Sequence, residues 1–389
     1  MKLGLYYHIP MINENGQAKI TSLFGVFIDQ LAKNCTTLFL FLHEATQSQK
    51  EECDYQLQGK NIEWVNLGFK NPAWSRDLFH RFKLNKYKKA LDNLDALIVR
   101  SPTPYAPYFH HYIDKKKIVY FIVGDYGHAS LNFKTRNFRD VIIKKYIAYN
   151  DQKFSKVLVG ANIIVNSNEL FNKYESFTQN IILVRTTTLR ESDFYQRSNT
   201  CEKEPITLLY TGRIDMAKGL VELIESTSLL KNYKRKIITQ IVGWDTDKNQ
   251  KNLFELQHLA KKLGIEDRVE FLGKKSVGEE LNKCYRQADI YVFPTYFEGF
   301  PRTIWEAMAN SLPIVTTPVG GIPFVLKEKI HAVFAQPKSA LSLKEAIQLV
   351  VEDQTLRARI IQESYITSQS NTIDKQTEFL VTGIKKFVH

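Results

Sequence analysis

Short apolar runs rich in β-branched residues alternate with longer stretches of helical spacing along the whole chain, and this alternation limits the fold more than any other feature. Parallel strands can be joined only by a crossover, usually a helix, so the pattern predicts doubly wound α/β units. In the first half the expected strands are 3–7, 37–41, 62–65, 96–99, 118–122 and 163–165. In the second half they are 207–210, 237–242, 269–271, 290–293, 314–316 and 332–334. A chain of 389 residues is too long for one ordinary core and predicts two units of roughly 180 residues. The polar, turn-rich stretch RESDFYQRSNTCEKE at 190–204 is the expected linker between a unit at 1–189 and one at 205–365.

Composition excludes several classes. Apolar residues make up 44% and aromatics 12%, enough for complete globular folding. No apolar run approaches the roughly 20 residues that cross a bilayer, and the opening MKLGL leads straight into a strand pattern, so a cytoplasmic protein is expected. Cys35, Cys53, Cys201 and Cys284 are scattered without a C-x-x-C pair, which indicates neither a zinc site nor a disulfide framework. Reduced thiols are the expectation.

The chemistry concentrates in FPTYFEGFPRTIWEAMANSLPIVTTPVGGIP, residues 293–323. The apolar run before it is a strand stopped by Pro294 and by the turn residues Glu298-Gly299-Phe300-Pro301, which puts Glu298 on a loop. A helix is expected from Arg302, with Pro301 near the first turn, where a missing N–H costs nothing. Glu306 then falls one turn into that helix. Free N–H groups around Gly299 to Thr303 favour an anion, and two acceptor carboxylates beside them suit a phosphorylated, hydroxyl-rich ligand. A second loop, TGRIDMAKG at 211–219, follows the strand at 207–210 and carries Gly212, Arg213 and Lys218. Ligands of open parallel sheets bind beyond the carboxyl ends of the strands, so both cations belong beside the glutamates.

These residues carry a resemblance. EGFPRTIWEAMA followed by LPIVTTPVGGIP resembles the E-x7-E segment of the retaining GT-B glycosyltransferases of family 4 type. LLYTGRIDMAKGL (208–220), the strand ending at Gly243, LGIEDRVEFLG (263–273) and YRQADIYVFPTYFEGF (285–300) match in the same order. The likeness covers roughly 205–365 strongly and the first half loosely. It implies two Rossmann-like domains facing across a cleft, the first for the acceptor and the second for a nucleotide-sugar donor. The amphipathic tail within 366–389 would cross back onto the first domain. Arg213 and Lys218 would hold the donor diphosphate, where charge builds up as the glycosidic bond breaks. Glu306 would bind the ribose hydroxyls and Glu298 the hydroxyls of the transferred sugar. Phe300, Pro301 and Thr303 would line that site, and Gly212, Gly243 and Gly299 would let backbone approach the donor, as would Gly320 and Gly321. No metal or cofactor is expected. Asp245-Thr-Asp247 has the spacing of a metal-binding pair, but it falls where the family has a variable loop. Trp244 beside it has two readings, a border of the base pocket or a core or edge aromatic.

The first half departs from the family pattern. Many members have a Gly-Gly loop after the first strand, whereas here the loop HIPMINENGQAKIT offers Gly16 alone, placed near the donor phosphate. Where members place a His after a central strand, this chain has Gly124-Asp125-Tyr126-Gly127-His128. Asp125 can stabilise oxocarbenium character or accept the acceptor's proton, and His128 can hydrogen-bond the sugar, so both remain candidates for the catalytic position. His8, after the first strand, is a further loop histidine.

Charge is unevenly placed. Residues 1–185 hold 25 Lys+Arg against 16 Asp+Glu, a net +9, while 186–389 hold 28 against 25, a net +3. AWSRDLFHRFKLNKYKKALDN (73–93) interleaves Arg81, Lys83, Lys86, Lys88 and Lys89 with Trp74, Phe79, Phe82 and Tyr87. More basic residues follow at 115–117, 134, 136, 139, 144 and 145. Such a surface can dock on anionic lipid, each cation contributing about 1 kcal/mol near it. The expected function is therefore a metal-independent, hexosyltransferase-type enzyme, retaining by resemblance. It would move a sugar from a nucleotide diphosphate to a hydroxyl of a lipid-linked glycan, in capsule, lipopolysaccharide or other surface polysaccharide synthesis. It would work peripherally at the cytoplasmic face of the inner membrane. Two alternatives stand beside this: a UDP-sugar epimerase or phosphorylase-like enzyme of the same fold, and a non-catalytic basic protein that binds nucleic acid.

Overall fold

The computed structural model describes residues 1–14, 17–124, 138–247 and 249–388, without the side chains of residues 23 and 81. The chain divides into two compact units, Met1–Thr186 with Ile373–His389, and Thr187–Thr372.

In the first unit the strands are β1 (Lys2–Glu14), β2 (Gln17–Ile20), β3 (Thr37–Glu44), β4 (Tyr55–Gln56), β5 (Ile62–Phe69), β6 (Ala96–Ser101), β7 (Ile118–Ile122), β8 (Asn162–Val165) and β9 (Ile181–Leu183). The parallel order is β5-β3-β1-β6-β7-β8-β9, so the winding direction reverses between β1 and β6. Near-continuous apolar runs such as Ile118–Ile122 are buried along their whole length, as strands covered on both faces must be.

One stretch differs from the sequence reading. The expected loop after the first strand is mostly sheet: β1 continues to Glu14, pairs antiparallel with β2, and β2 pairs with β4. Met11 and Ile12 are buried there, and a register shift against β3 between Tyr6 and Pro10 marks a bulge that redirects the strand. Gly16, Asp125, His128, Lys134 and Arg136 lie outside the described residues.

In the second unit β10 (Ile206–Thr211), β11 (Ile237–Val242), β12 (Val269–Gly273), β13 (Ile290–Phe293), β14 (Ile314–Thr316) and β15 (Val333–Phe334) run parallel. Their order is β12-β11-β10-β13-β14-β15, reversing between β10 and β13. Every expected strand is present in the two sheets; β9 and the short β2 and β4 were not foreseen, being brief or polar.

The stretch 190–204, expected as a linker, is fixed to the second unit instead. The Arg197 guanidinium donates to the carbonyls of Ser311, Arg286, Tyr285 and Ala288, at 2.8 to 3.4 Å. The amide of Cys201 donates to Asp289 Oδ1 at 2.8 Å. The tail behaves differently: helix Ile373–Val388 buries Leu380, Val381 and Ile384 with Ile28 and Leu31 of helix Ser22–Lys33 in the first unit. Arg197→Ala leaves several carbonyls without their donor and is expected to destabilise by about 2–4 kcal/mol, read as a fall in the second unit's unfolding midpoint in urea.

Candidate functional site

At the winding reversal of the second sheet, three loops leave the carboxyl ends of β10, β13 and β14. Their backbones are laced together. Tyr296 N–H donates to Ala217 O at 2.9 Å, joining the β13 loop to the β10 loop. Gly321 N–H donates to Glu298 O at 3.1 Å, joining the β14 loop to the β13 loop. Gly320 has φ +55°, and a Cβ there would overlap the Glu298 carbonyl, as one at Gly321 would overlap that of Gly299. The two glycines thus allow close approach by the protein's own loop, which sets the position of Glu298.

Within this junction Lys218 Nζ and Glu298 Oε1 form an ion pair, both side chains largely buried. Lys218 ends a short helical turn, Met216–Lys218, that Asp215 caps by accepting from Ala217 N at 2.9 Å. Arg213 projects from the same loop, and its side chain is exposed with no hydrogen bond or ion pair among the described residues. Gly212 and Gly243 pack against one another. A side chain at Gly243, φ +156°, would meet the Gly212 carbonyl. Ile214 N–H then donates to Trp244 O at 2.8 Å, which holds the β10 and β11 loops side by side. Trp244 is exposed, with the Lys274 ammonium 5.6 Å from its ring centre.

Helix Arg302–Ala309 begins after Pro301, as its sequence predicts, and Phe300 packs at a tilt of 42° against the buried Trp305 with ring centres 4.8 Å apart. Thr303 lies in its first turn and Gly299 abuts Gly321. Glu306 is only 8% exposed, unusual for a carboxylate. Its Oε1 accepts from Thr188 Oγ1 at 3.0 Å and its Oε2 from the Tyr285 hydroxyl at 2.8 Å. Tyr285 in turn lies 2.6 Å from Thr211 Oγ1. A carboxylate only accepts, so the Tyr285 proton points at Glu306 and Thr211 donates to Tyr285. Burial raises the Glu306 pKa, against the opposing effects of Tyr285, Arg302 and Thr188. Each oxygen keeps a further lone pair for a ligand hydroxyl.

Sequence reasoning missed Thr188, Thr211 and Tyr285. Tyr285 occupies a core position of helix Glu279–Gln287, and nothing in its local pattern reveals where its hydroxyl goes. Asp245, whose spacing suggested a metal pair, accepts from Asp247 N, Asn252 Nδ2 and Leu253 N at 2.7–2.8 Å and so anchors helix Lys251–Lys262.

Residues 191–367 match the family model described as glycosyl transferases group 1. This segment is a group 1 glycosyl transferase domain. An uncharacterized glycosyltransferase of Methanocaldococcus jannaschii is 29% identical over 168 residues, 43% of this chain and 41% of the relative. The N,N'-diacetylbacillosaminyl-diphospho-undecaprenol alpha-1,3-N-acetylgalactosaminyltransferase of Campylobacter jejuni is 29% identical over 171 residues, 44% and 42% of the two chains. The chain thus spans under half the length of these relatives. Anabaena HepE in complex with UDP-glucose superposes with a TM-score of 0.69 at 15% identity, over 99% of this chain and 100% of that one. The fold is GT-B. Lys218, Glu298 and Glu306 all lie inside the group 1 domain, the first two on loops of one winding reversal and the third in the helix that follows.

The raised Glu306 pKa has a testable sign. A carboxyl raised above its unfolded value adds stability at low pH and loses it as pH rises through the folded pKa. Glu306→Gln is therefore expected to gain stability relative to the parent as pH increases from about 4 to 8, measured by thermal melts across that range.

Proposed function

We propose that the protein transfers a sugar from a nucleotide diphosphate to an acceptor hydroxyl, with retention and without a metal. The observation that carries this reading is the Lys218–Glu298 pair, held in a three-loop junction at a winding reversal, with the unpartnered Arg213 beside it. A diphosphate arriving there would take both cations, releasing Glu298 to accept hydroxyls of the transferred sugar. Since the leaving diphosphate gains charge in the transition state, these cations stabilise it more than the ground state. Glu306, with its spare lone pairs, would accept from the ribose, and Trp244 would border the base. No residue of the sequence stands out as a covalent nucleophile, and the mechanism proposed is front-side attack assisted by the leaving phosphate.

HepE binds UDP-glucose, which supports a UDP-sugar as the first donor to try. The expected result is a saturable rise in melting temperature with one nucleotide sugar of a panel of UDP-, GDP- and ADP-sugars. Release of nucleoside diphosphate should then fall about 100-fold or more in Arg213→Ala and in Lys218→Ala. Absence of both binding and release across the panel would sink the proposal.

A lipid-linked acceptor is the second part. The Campylobacter relative is named for an acceptor on diphospho-undecaprenol, and the first unit presents Trp74, Leu78, Phe79 and Phe82 to solvent, the last 83% exposed. Lys86, Lys88 and Lys89 are exposed on the same segment. No helix among the described residues is long and apolar enough to cross a membrane. Aromatics and lysines together suit the surface of an anionic bilayer. Trp74→Ala with Phe82→Ala should weaken co-sedimentation with vesicles containing anionic lipid about tenfold or more, with little change in melting temperature.

A further inference from the structure

The first sheet has its own winding reversal, and its carboxyl edge collects several basic side chains. Arg76, on the short helix Ala73–Leu78, is 5% exposed, yet its Nε and Nη1 have no hydrogen-bond partner. No ion pair among the described residues involves it. His43, at the end of β3, is 2% exposed; one ring nitrogen, Nδ1, faces Gly68 O at 3.2 Å and the other, Nε2, has no partner. His8, in the β1 bulge, also has a buried, unpartnered Nδ1. Lys70 follows β5, and Arg100 ends β6 with its guanidinium 4.7 Å from the Tyr7 ring centre. The four parallel strands β5, β3, β1 and β6 are neighbours, so these groups share one edge.

A buried guanidinium with unmade hydrogen bonds is costly and calls for a compensating charge. No carboxylate among the described residues is paired with it. Burial, then the cations Lys70, Arg76 and neighbouring basic groups, hold the His8 pKa down to about 3, and burial with Arg76, Lys70 and Lys83 brings His43 to about 4. Both effects report a positive, partly dehydrated environment. Nearby Asp77 is already committed, accepting from Lys153 at 2.7 Å and from the Tyr108 hydroxyl at 2.6 Å. These bonds steady the helix that carries Arg76. Tyr6, hydrogen-bonded to Thr103 at 3.2 Å, and Tyr105, whose ring centre is 5.9 Å from the guanidinium carbon, wall the other side.

We propose that Arg76, with Lys70 and His43, forms a phosphoryl-binding site at the carboxyl edge of the first sheet. Nε and Nη1 lie on different edges of the guanidinium, so each offers a separate N–H donor to a phosphoryl oxygen. Lys70 adds charge from the rim, and His43 Nε2 meets a third oxygen or its proton. The ligand is either free phosphate or a phosphoryl group carried by a second substrate. This inference does not depend on the donor reading, which concerns the other unit.

The test is a melting-temperature titration of the full-length protein with inorganic phosphate and, separately, with glycerol 3-phosphate, at constant ionic strength set by chloride. Wild type should show a saturable rise that persists in the Arg213→Ala, Lys218→Ala double variant. Arg76→Met should fold with equal or greater stability in chloride and lose the response, with affinity lowered about 50-fold or more. If that variant does not fold, Lys70→Ala, at an exposed position, should still weaken the response several-fold. Tighter binding of the ester would identify a carried phosphoryl group, and equal binding free phosphate; both support the site. No saturable rise in wild type, a response surviving both Arg76→Met and Lys70→Ala, or one abolished in the double variant would overturn it.

Discussion

Parallel strands in a doubly wound sheet are covered on both faces, so neither face can carry polar chemistry without burying it unpaired. Charged and hydroxyl-bearing side chains are therefore displaced to the places where strands end and helices begin. At a winding reversal two successive loops diverge to opposite faces and leave room between them. Both sheets here obey this constraint. The order 3-2-1-4 of parallel strands recurs in each, and at each reversal the polar residues gather within a few positions of the strand ends.

The two reversals solve the resulting electrostatic problem differently. In the second unit Lys218 is matched by Glu298, and the loops around them are pinned by backbone hydrogen bonds. An anion bound there, as proposed, would trade one ion pair for another, which favours a reversible grip. In the first unit Arg76 has no such partner among the described residues. Glu306 illustrates a third arrangement: a carboxylate kept buried by two hydroxyl donors, which fixes its orientation at some cost to its charge.

Much of this was legible in the chain. The β-branched runs located every long strand, because burial on both faces leaves an unbroken apolar signature. Glu298, Lys218 and the start of helix Arg302–Ala309 were placed by turn and helix-start residues, which act locally. What escaped was non-local. The Tyr285 hydroxyl finds Glu306 across 21 residues and Thr188 finds it across 118, distances at which no periodicity speaks. Arg197 turned an apparent linker into part of the core for the same reason: its four carbonyl acceptors lie some 90 to 110 residues downstream. Polarity marked that stretch as loose, and only the fold reveals that one long cation fastens it. Arg76 falls within the segment 73–93 that read as a basic, aromatic surface, yet its burial sets it apart from its neighbours.

The return of the chain to the first unit has a consequence for synthesis. Thr187–Thr372 is a continuous segment, whereas the first unit gains Leu380, Val381 and Ile384 only from the final helix. A chain emerging from the ribosome can therefore close its second unit while the first still exposes Ile28 and Leu31 on helix Ser22–Lys33. The usual N-to-C order of domain completion is reversed. During that interval the unit with the larger excess of positive charge is also the one with an unfinished apolar face, and its lysines and arginines then help to keep the incomplete chain soluble.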